Sequence, residues 1–473
     1  MNPRRTTVFM ILGLAVLVAS AAAGDTVFPE IPVLERYVAD GLKNNLTLRR
    51  ERFSLRQALE ELKAARGRFL PQVSIEARAS LAGGGRLIDM PIGDLVNPIH
   101  DALNQLLAAS GLEPGFPTDV PNEVIPFLRE KEHETKLRLV QPVFMPALHY
   151  NARIKHDLVG VQRARVGVYR RQLVCDIKTA YFTHLKTLSV KELLEETRDL
   201  LEEGLRVNRS LWRNHKVTEE HVLRARADLS QLEREMAEAD KAVAQSAAYF
   251  NFLLTRPLDT PIEIPKTSSE RFVEVPARGE LEALAIVRRQ EIGQLKHAIR
   301  AAEHTRKLHG TRFLPTVTAV VDYGFQGESY RFQGEDDYWM ASLVLSWNLF
   351  NGFRDRAEKT RADLETERLA LQFEELENQI RLQVRESHHN LIVAVRGLAT
   401  AEEVLLSRRR AFDIVAKKYG QGMVPQIEYI QARDDFVKAG IRRILARFDR
   451  LIREAELERD AALVVFNHRE GDT

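Results

Sequence analysis

The chain has 473 residues, 29% of them charged and 44% apolar, values typical of proteins that fold in water. The 69 basic and 67 acidic residues nearly cancel to a formal net charge of +2, which gives no reason to expect a nucleic-acid partner. No apolar run of roughly 18 residues follows the N-terminal segment, so no internal membrane-spanning helix is expected. Charge this dense and this mixed is typical of long solvated helices.

Residues 1–23 have the features of a secretory signal peptide. Arg4 and Arg5 precede an apolar stretch, 8–18, that is short for a membrane span, and small alanines follow it. We therefore expect an exported protein whose mature chain begins near Gly24.

The remaining sequence indicates one unit used twice. The Phe-Leu-Pro motif at 69–71 returns at 313–315, an offset of 244, while later matches have offsets of 206 or 207. Those later pairs are Leu137 and Leu343, Phe144 and Phe350, Val217 and Val424, Ala225 and Ala432, and Arg226 and Arg433. The change of offset means that the first copy has about 38 extra residues (244 − 206) between its Phe-Leu-Pro motif and Leu137. We predict a first repeat over 24–255, a Pro-rich connector over 256–279 and a second repeat over 280–473.

Each copy begins with a helix that ends at its Phe-Leu-Pro motif, because the residue before proline is driven out of the α region. Alternating apolar and polar residues then predict strands at about 69–81 and 136–145, and at about 313–325 and 338–350. Each segment alone better fits a half-buried strand of a soluble sheet. Four such segments, duplicated in pairs in an exported chain and of a length that suits tilted transmembrane strands, favour a membrane sheet. The Gly- and Pro-rich segment 82–135 predicts a long outer loop, either a lid or a mobile surface loop. Within it, the stretch from Asp101 to Ala109 is compatible with one short helix.

Long helices are predicted after each strand pair, at about 150–212 and 219–254 and at about 352–418 and 426–466. A helix of about 65 residues is roughly 100 Å long, more than a globular domain of this size encloses. Apolar residues at seven-residue spacing predict a coiled-coil seam in the third of these helices: Val384, Leu391, Leu398, Leu405, Phe412 and Tyr419.

Four strands are too few to close a membrane barrel, and an open sheet edge in lipid leaves backbone groups unpaired. The chain must therefore pool strands with copies of itself, eight from two copies or twelve from three. Helices that continue from such a barrel form a hollow cylinder. The expected fold is a mixed α and β membrane protein that forms a conduit across the periplasm and the outer membrane.

Several short motifs follow one another along nearly the whole mature chain: Asn44-Asn45-Leu46, Phe69-Leu70-Pro71, Gln141-Pro142-Val143-Phe144, Leu253-Leu254, Asp259-Thr260-Pro261, and Tyr419 and Gly422 before Ala432-Arg433. In their order, spacing and duplication they resemble the TolC-like outer-membrane efflux protein family (outer-membrane factors). The resemblance implies a homotrimer with a twelve-strand β-barrel, continued by an antiparallel coiled-coil α-helical barrel. It further implies outer-membrane lipid contacts, a periplasmic helical part in a Gram-negative bacterium, and docking to a periplasmic adaptor and an inner-membrane pump of RND or ABC type.

The resemblance also implies a gate at the periplasmic mouth. Glu428 matches the first ring acid and Tyr419 the hydrogen-bonding tyrosine. Gln431 stands where a second ring acid is expected, Val424 where an arginine is expected, and His221 where an acid is expected, so the gate departs from the family pattern. Glu428 is equally well read as a solvated helix residue. The hinge and adaptor-contact tip is assigned to Gly420, Gly422, Val424 and Val217.

Other classes fit the sequence less well. No Gly-rich phosphate loop, nucleophile elbow or zinc-ligand spacing is present, so neither enzymatic activity nor a metal or cofactor is expected. The only cysteine, Cys175, lies in an apolar helical stretch and is expected in the core. A periplasmic adaptor normally has one helical hairpin and small β-domains. The signal peptide argues against a soluble coiled-coil structural protein.

Overall fold

A computed structural model describes residues 31–265 and 275–464. The predicted signal peptide lies outside the described residues. The chain divides into two compact units. The helical unit contains the described residues up to Gln57, Gly160–Ala298 and those from Arg368 onward, and the sheet unit contains Ala58–Val159 and Ile299–Glu367.

The helices in chain order are α1 (Pro32–Asn44), α2 (Leu46–Gly67), α3 (Ile92–Ala109), α4 (Pro146–Arg213), α5 (Glu219–Leu253), α6 (Arg278–Arg288), α7 (Gln290–Gly310), α8 (Arg354–Gly420) and α9 (Gln426–Asp460). The strands are β1 (Gln72–Leu81), β2 (Leu87–Met90), β3 (Glu123–Pro126), β4 (Lys131–Phe144), β5 (Thr316–Gly327) and β6 (Asp337–Ser346). None of the helices in the described parts of the chain is long and apolar enough to cross a membrane.

The helix pairs α1–α2 and α6–α7 are each interrupted by a single non-helical residue. Asn45 separates α1 from α2, and its backbone N–H donates to the carbonyl of Gly41. At the offset of 244 residues, Arg289 separates α6 from α7, and its N–H donates to the carbonyl of Ala285. The Asn45 side chain also accepts a hydrogen bond from the N–H of Leu48 at 3.0 Å, which satisfies one of the free donors at the start of α2.

Two large apolar clusters stabilise the helical unit, and a smaller one of Leu194, Leu201 and Leu232 joins α4 to α5. In the first, α1, α4, α5 and α9 bury large side chains, among them Ile177, Tyr181 and Phe250. Gly41 lies against this cluster, and a Cβ at this position would meet Ile177 Cδ1 at 2.3 Å. The second cluster joins α6 and α7 to α8 and α9. Of the predicted seam in α8, Val384, Leu391, Leu398 and Phe412 are buried, whereas Leu405 and Tyr419 are half-buried. The flanking Ile380, Ser387 and Ala394 are buried as well.

The sheet unit contains a four-stranded antiparallel sheet in the order β1-β4-β5-β6 and a separate hairpin of β2 with β3. One row of paired residues across the four strands of the larger sheet consists of Ile75, Leu137, Tyr323 and Trp339. Next to it lies the row of Glu76, Lys136, Gly324 and Tyr338. Adjacent rows project to opposite faces of a sheet, so the apolar and polar residues of these strands lie on different faces.

Several element bounds differ from those that the sequence pattern predicts. The strands β1 and β5 begin only after Pro71 and Pro315, since Phe313 belongs to a 3-10 turn and proline has no N–H for the ladder. Strand β6 ends at Ser346, and the following Trp347 donates its indole N–H to the carbonyl of Phe313 at 3.2 Å. Helix α9 ends at Asp460, where Ala462 takes a left-handed conformation with φ 54°.

The segment 82–135, which the glycines and prolines predict to be a long loop, contains β2, α3, β3 and the first residues of β4. Its charged end belongs to a strand because those charges are paired across the sheet. Arg78 of β1 lies 4.0 Å from Glu132 and 3.9 Å from Glu134 of β4, and the Lys136 ammonium of β4 lies 3.9 Å from Glu76 of β1.

Candidate functional site

The candidate site lies in the helical unit, where two helical hairpins turn. The hairpin of α4 and α5 turns at His215, whose N–H donates to the carbonyl of Trp212 at 2.9 Å, while the N–H of Lys216 reaches Leu211. The hairpin of α8 and α9 turns at Gly422 with the same two bonds, to Tyr419 and Lys418. This pair of bonds is the Schellman motif, which places its central residue in the left-handed region. His215 and Gly422 have φ 55° and 72°.

Tyr419 links the two hairpins. Its hydroxyl donates to Asn208 Oδ1 on α4 at 3.2 Å. Its ring stacks on Tyr429 of α9, with ring centroids 4.8 Å apart. Phe412 continues the contact, 5.8 Å from Tyr429 and 5.6 Å from Phe436. Burial raises the pKa of both tyrosines, so their hydroxyls stay neutral hydrogen-bond donors at neutral pH.

Arg433 forms the second link between the hairpins. It is only 8% exposed, and its guanidinium donates to Asp228 of α5 at 3.0 Å and to Asp434 at 2.8 Å. Burial lowers the pKa of Arg433, but the hydrogen bonds and charges of the two aspartates outweigh this effect and raise it overall. A buried arginine held by two carboxylates fixes the position of α9 against α5.

Of the remaining predicted gate residues, only His221 takes part in these links. Its carbonyl accepts a bond of 3.5 Å from the Gln426 amide, and its ring lies 3.1 Å from the Thr218 hydroxyl. Glu428 and Gln431 are exposed, three residues apart on α9. Their spacing places both on one helix face.

The four residues assigned to the tip lie at the turns. Gly420 and Gly422 are exposed, whereas Val217 and Val424 are half-buried at matching positions of the two turns. The tip residues therefore present backbone and small side chains to the surroundings.

Two residues that hold the tips together, Asn208 and Asp228, were not predicted from the sequence. Asn208 and Asp228 bind Tyr419 and Arg433 over separations of 211 and 205 residues. Pairs this distant have no periodic signal. The repeat itself was the usable signal for Arg433, because it aligns Arg433 with Arg226 and so draws attention to that position.

One known sequence family matches the second half of the chain. The sequence profile described as outer membrane efflux protein matches residues 281–461, from within α6 to the end of α9. The resemblance to that family is confirmed. The family consists of outer-membrane channels, not enzymes. A search of curated proteins gives no significant match to the chain.

Solved structures extend the likeness to the rest of the chain. The Campylobacter jejuni CmeC outer membrane channel superposes with a TM-score of 0.77 at 14% identity, over 93% of this chain and 88% of that one. A membrane protein from Pseudomonas aeruginosa gives 0.75 at 17% identity, over 94% and 97%. The outer membrane protein VceC from Vibrio cholerae gives 0.73 at 14% identity, over 90% and 95%. At these identities the likeness establishes the fold, which is that of outer-membrane channels.

No group of three or more His, Cys, Asp or Glu side chains placed to hold a metal ion occurs within residues 31–265 and 275–464. Cys175 is buried, and burial raises the pKa of its thiol to about 11. A thiol in this state is protonated at neutral pH and is a poor nucleophile.

Proposed function

We propose that the chain is one subunit of a homotrimeric, porin-like outer-membrane channel of a Gram-negative bacterium. It passively conducts substrates from a periplasmic adaptor and an inner-membrane pump of RND or ABC type to the outside. The observation that carries the proposal is the sheet β1-β4-β5-β6, which has two open edges and one exposed apolar face.

The open edges support oligomerisation. Within the described residues, β1 pairs only with β4, and β6 pairs only with β5. Unpaired backbone groups in lipid cost several kcal/mol each, so a membrane sheet needs partners for both edges. Closed membrane barrels have eight or more strands. Three copies of this sheet supply twelve strands, and each β1 pairs with the β6 of a neighbouring copy.

The apolar face supports contact with lipid. In the row that crosses all four strands, Ile75 is 76% exposed and Trp339 75% exposed, with the half-exposed Leu137 and Tyr323 between them. Four large apolar side chains in one exposed row are unfavourable in water. They are favourable in the hydrocarbon region of an outer membrane, where lipid-facing residues of barrels are apolar.

The opposite face is polar and internally paired, as expected for the lumen of a channel. The guanidinium of Arg138 binds both carboxylate oxygens of Asp322 at 2.8 Å. Arg138 also lies 3.1 Å from Glu76. The hydroxyl of Tyr338 donates to Glu134 at 2.6 Å. These contacts connect all four strands and satisfy the charges without lipid contact.

Two neighbouring residues of β6 test this assignment. Leu343 is on the apolar face, and Ser342 is on the polar face. An arginine in the lipid near the bilayer midplane costs about 2–4 kcal/mol, whereas lumen substitutions are tolerated. We expect Leu343→Arg to reduce the amount of heat-modifiable oligomer in isolated outer membranes and Ser342→Arg to leave it near the wild-type level. Equal effects of the two variants would contradict the proposed lipid-facing side.

The exposed carboxylate of Glu428 is proposed to line the periplasmic mouth of the trimer. Three such carboxylates around one axis attract cations. Glu428→Gln is expected to weaken the block of single-channel current by divalent or trivalent cations. Glu220→Gln is the matched control, since Glu220 is an exposed carboxylate at the start of α5. Unchanged block in Glu428→Gln would exclude Glu428 from the pore.

A periplasmic adaptor is the main competing function. An adaptor is soluble or anchored to the inner membrane and has no use for an exposed apolar sheet face. Recovery of the protein in the soluble periplasmic fraction would favour the adaptor and would contradict the channel proposal.

A further inference from the structure

Helix α3, in the segment that connects β1 to β4, carries an exposed apolar stripe. Leu95 is 67% exposed and Leu106 65% exposed, and Ile99 and Leu103 are exposed between them. Apolar side chains at this helical spacing are usually the buried face of an amphipathic helix. Here that face is open within the described residues.

The polar face of α3 is turned toward its own chain. The Asn97 amide makes two bonds of 2.9 Å with the backbone N–H and carbonyl of Val120. The Asn104 amide binds the backbone of Phe116 in the same way, at 2.8 and 3.0 Å. These paired bonds resemble those of a β-ladder, so the orientation of α3 is fixed with the apolar stripe outward.

The stripe has the spacing of a coiled-coil seam. On and beside it, apolar residues recur at alternating intervals of three and four residues: Ile92, Leu95, Ile99, Ala102, Leu106 and Ala109. A heptad seam packs against the seam of another helix, and the alternating large and small residues interlock with an identical copy. A second copy of the chain supplies such a helix.

The charge of this segment disfavours a lipid surface as the partner. Residues 87–128 contain six acidic residues and no lysine or arginine: Asp89, Asp94, Asp101, Glu113, Asp119 and Glu123. Anionic headgroups repel such a segment, and interfacial helices normally carry basic residues beside their apolar face. Asp94 and Asp101 lie on the side of α3 away from the stripe, so identical stripes pack together without bringing these acids into contact.

The attachment of the segment points to the same partner. It leaves the sheet at Leu81, the end of β1, and returns at Lys131, the start of β4. Strand β1 is an open edge of the sheet. In the proposed trimer this edge borders the next copy.

From these observations we infer that the α3 helices of neighbouring copies pack against each other along the stripe, forming an interchain helical cluster at the outer end of the barrel. The inference rests on the proposed homotrimer. It adds an interface separate from the strand pairing and assigns the segment 82–130 to a fixed assembly that covers the outer mouth.

Cysteine cross-linking of the full-length protein tests the interface. In a Cys175→Ser background, Ile99→Cys places a thiol on the stripe and Asp101→Cys places one on the opposite side of the same helix. Both positions are exposed in the single chain. A bismaleimide that spans about 10 Å, the spacing of packed helices, is added to the protein extracted from outer membranes. We expect a covalent two-chain band for Ile99→Cys and its absence for Asp101→Cys.

The oligomer is measured separately by the mass of the uncross-linked protein. An intact trimer without an Ile99→Cys cross-link overturns the α3 interface and leaves the channel proposal standing. Equal cross-linking at both positions also overturns it, because it indicates random contact. Quenching of a bimane on Ile99→Cys by brominated lipid assigns the stripe to the membrane and overturns the interface. Absence of the trimer itself removes both proposals.

Discussion

The two helical hairpins of the helical unit share a turn and differ in what holds it. Both turns have the same pair of backbone bonds, 207 residues apart from His215 to Gly422. The second turn uses glycine in the left-handed conformation, where glycine carries no penalty, whereas the first uses histidine at a cost of roughly 1–2 kcal/mol. The backbone geometry of the turn therefore does not depend on the glycine that marks it in the sequence.

The side chains around the two turns differ more than the backbones do. At the same offset of 207, the buried Arg433 corresponds to the exposed Arg226, and the half-buried Tyr419 corresponds to the exposed Trp212. At the tips, Tyr419 and Arg433 of the second hairpin bind Asn208 and Asp228 of the first. Their counterparts Trp212 and Arg226 on the first hairpin are exposed, so the two copies contribute differently to the contact between the tips. If the channel gates by moving one hairpin, we expect these contacts to break first.

The largest effect is expected for Arg433→Met. The substitution removes two charged hydrogen bonds and leaves Asp228 and Asp434 without their cation. We expect the free energy of opening at the tip to fall by about 2 kcal/mol, or roughly 30-fold faster hydrogen exchange of the tip amides. Arg226→Met is the matched control and is expected to change this free energy by less than about 0.5 kcal/mol. A comparable loss of opening free energy in both variants would contradict the proposed difference between the hairpins.

A smaller effect is expected at the two turn residues themselves. Gly422→Ala introduces a Cβ in the left-handed region and should lower the free energy of opening of the second turn by about 1 kcal/mol. His215→Gly removes that strain from the first turn and should raise its free energy of opening by up to about 1 kcal/mol. Hydrogen exchange of Lys216 and Met423 reports on each turn. A loss of protection in both variants would show that the turns are not equivalent.

The smallest effect is expected for Tyr419→Phe. The ring stacking on Tyr429 remains, and only the bond to Asn208 is lost. We expect a decrease of about 0.5–1 kcal/mol in the free energy that separates the hairpin tips, measured by exchange of the amides near Asn208. Trp212→Phe, on the first hairpin, should leave these amides unchanged. Equal exchange in wild type and Tyr419→Phe would show that the hydroxyl does not link the tips.

Features with a local cause were predictable from the sequence. Pro71 and Pro315 mark where helix gives way to strand, because proline restricts both itself and the residue before it. The heptad residues Val384 and Leu391 are buried as their spacing indicates, since a helix that repeats apolar residues every seven positions buries one face.

Features with a nonlocal cause were not predictable. The charged start of β4 reads as loop until Arg78 on the neighbouring strand is seen to pair with Glu132 and Glu134. The sequence predicts only the second half of helix α3, since the first half is held by contacts of Asn97 with the backbone of the distant Val120. For the same reason the links from Tyr419 and Arg433 are invisible in sequence, since their partners are on the other hairpin.

We propose that three copies of the chain share one membrane barrel. Native mass spectrometry of the protein extracted from outer membranes measures this number directly. We predict a particle of three chains whose β1 and β6 amides are protected from hydrogen exchange by pairing between copies. A single folded chain in the soluble fraction, with both edge strands exchanging freely, would contradict it.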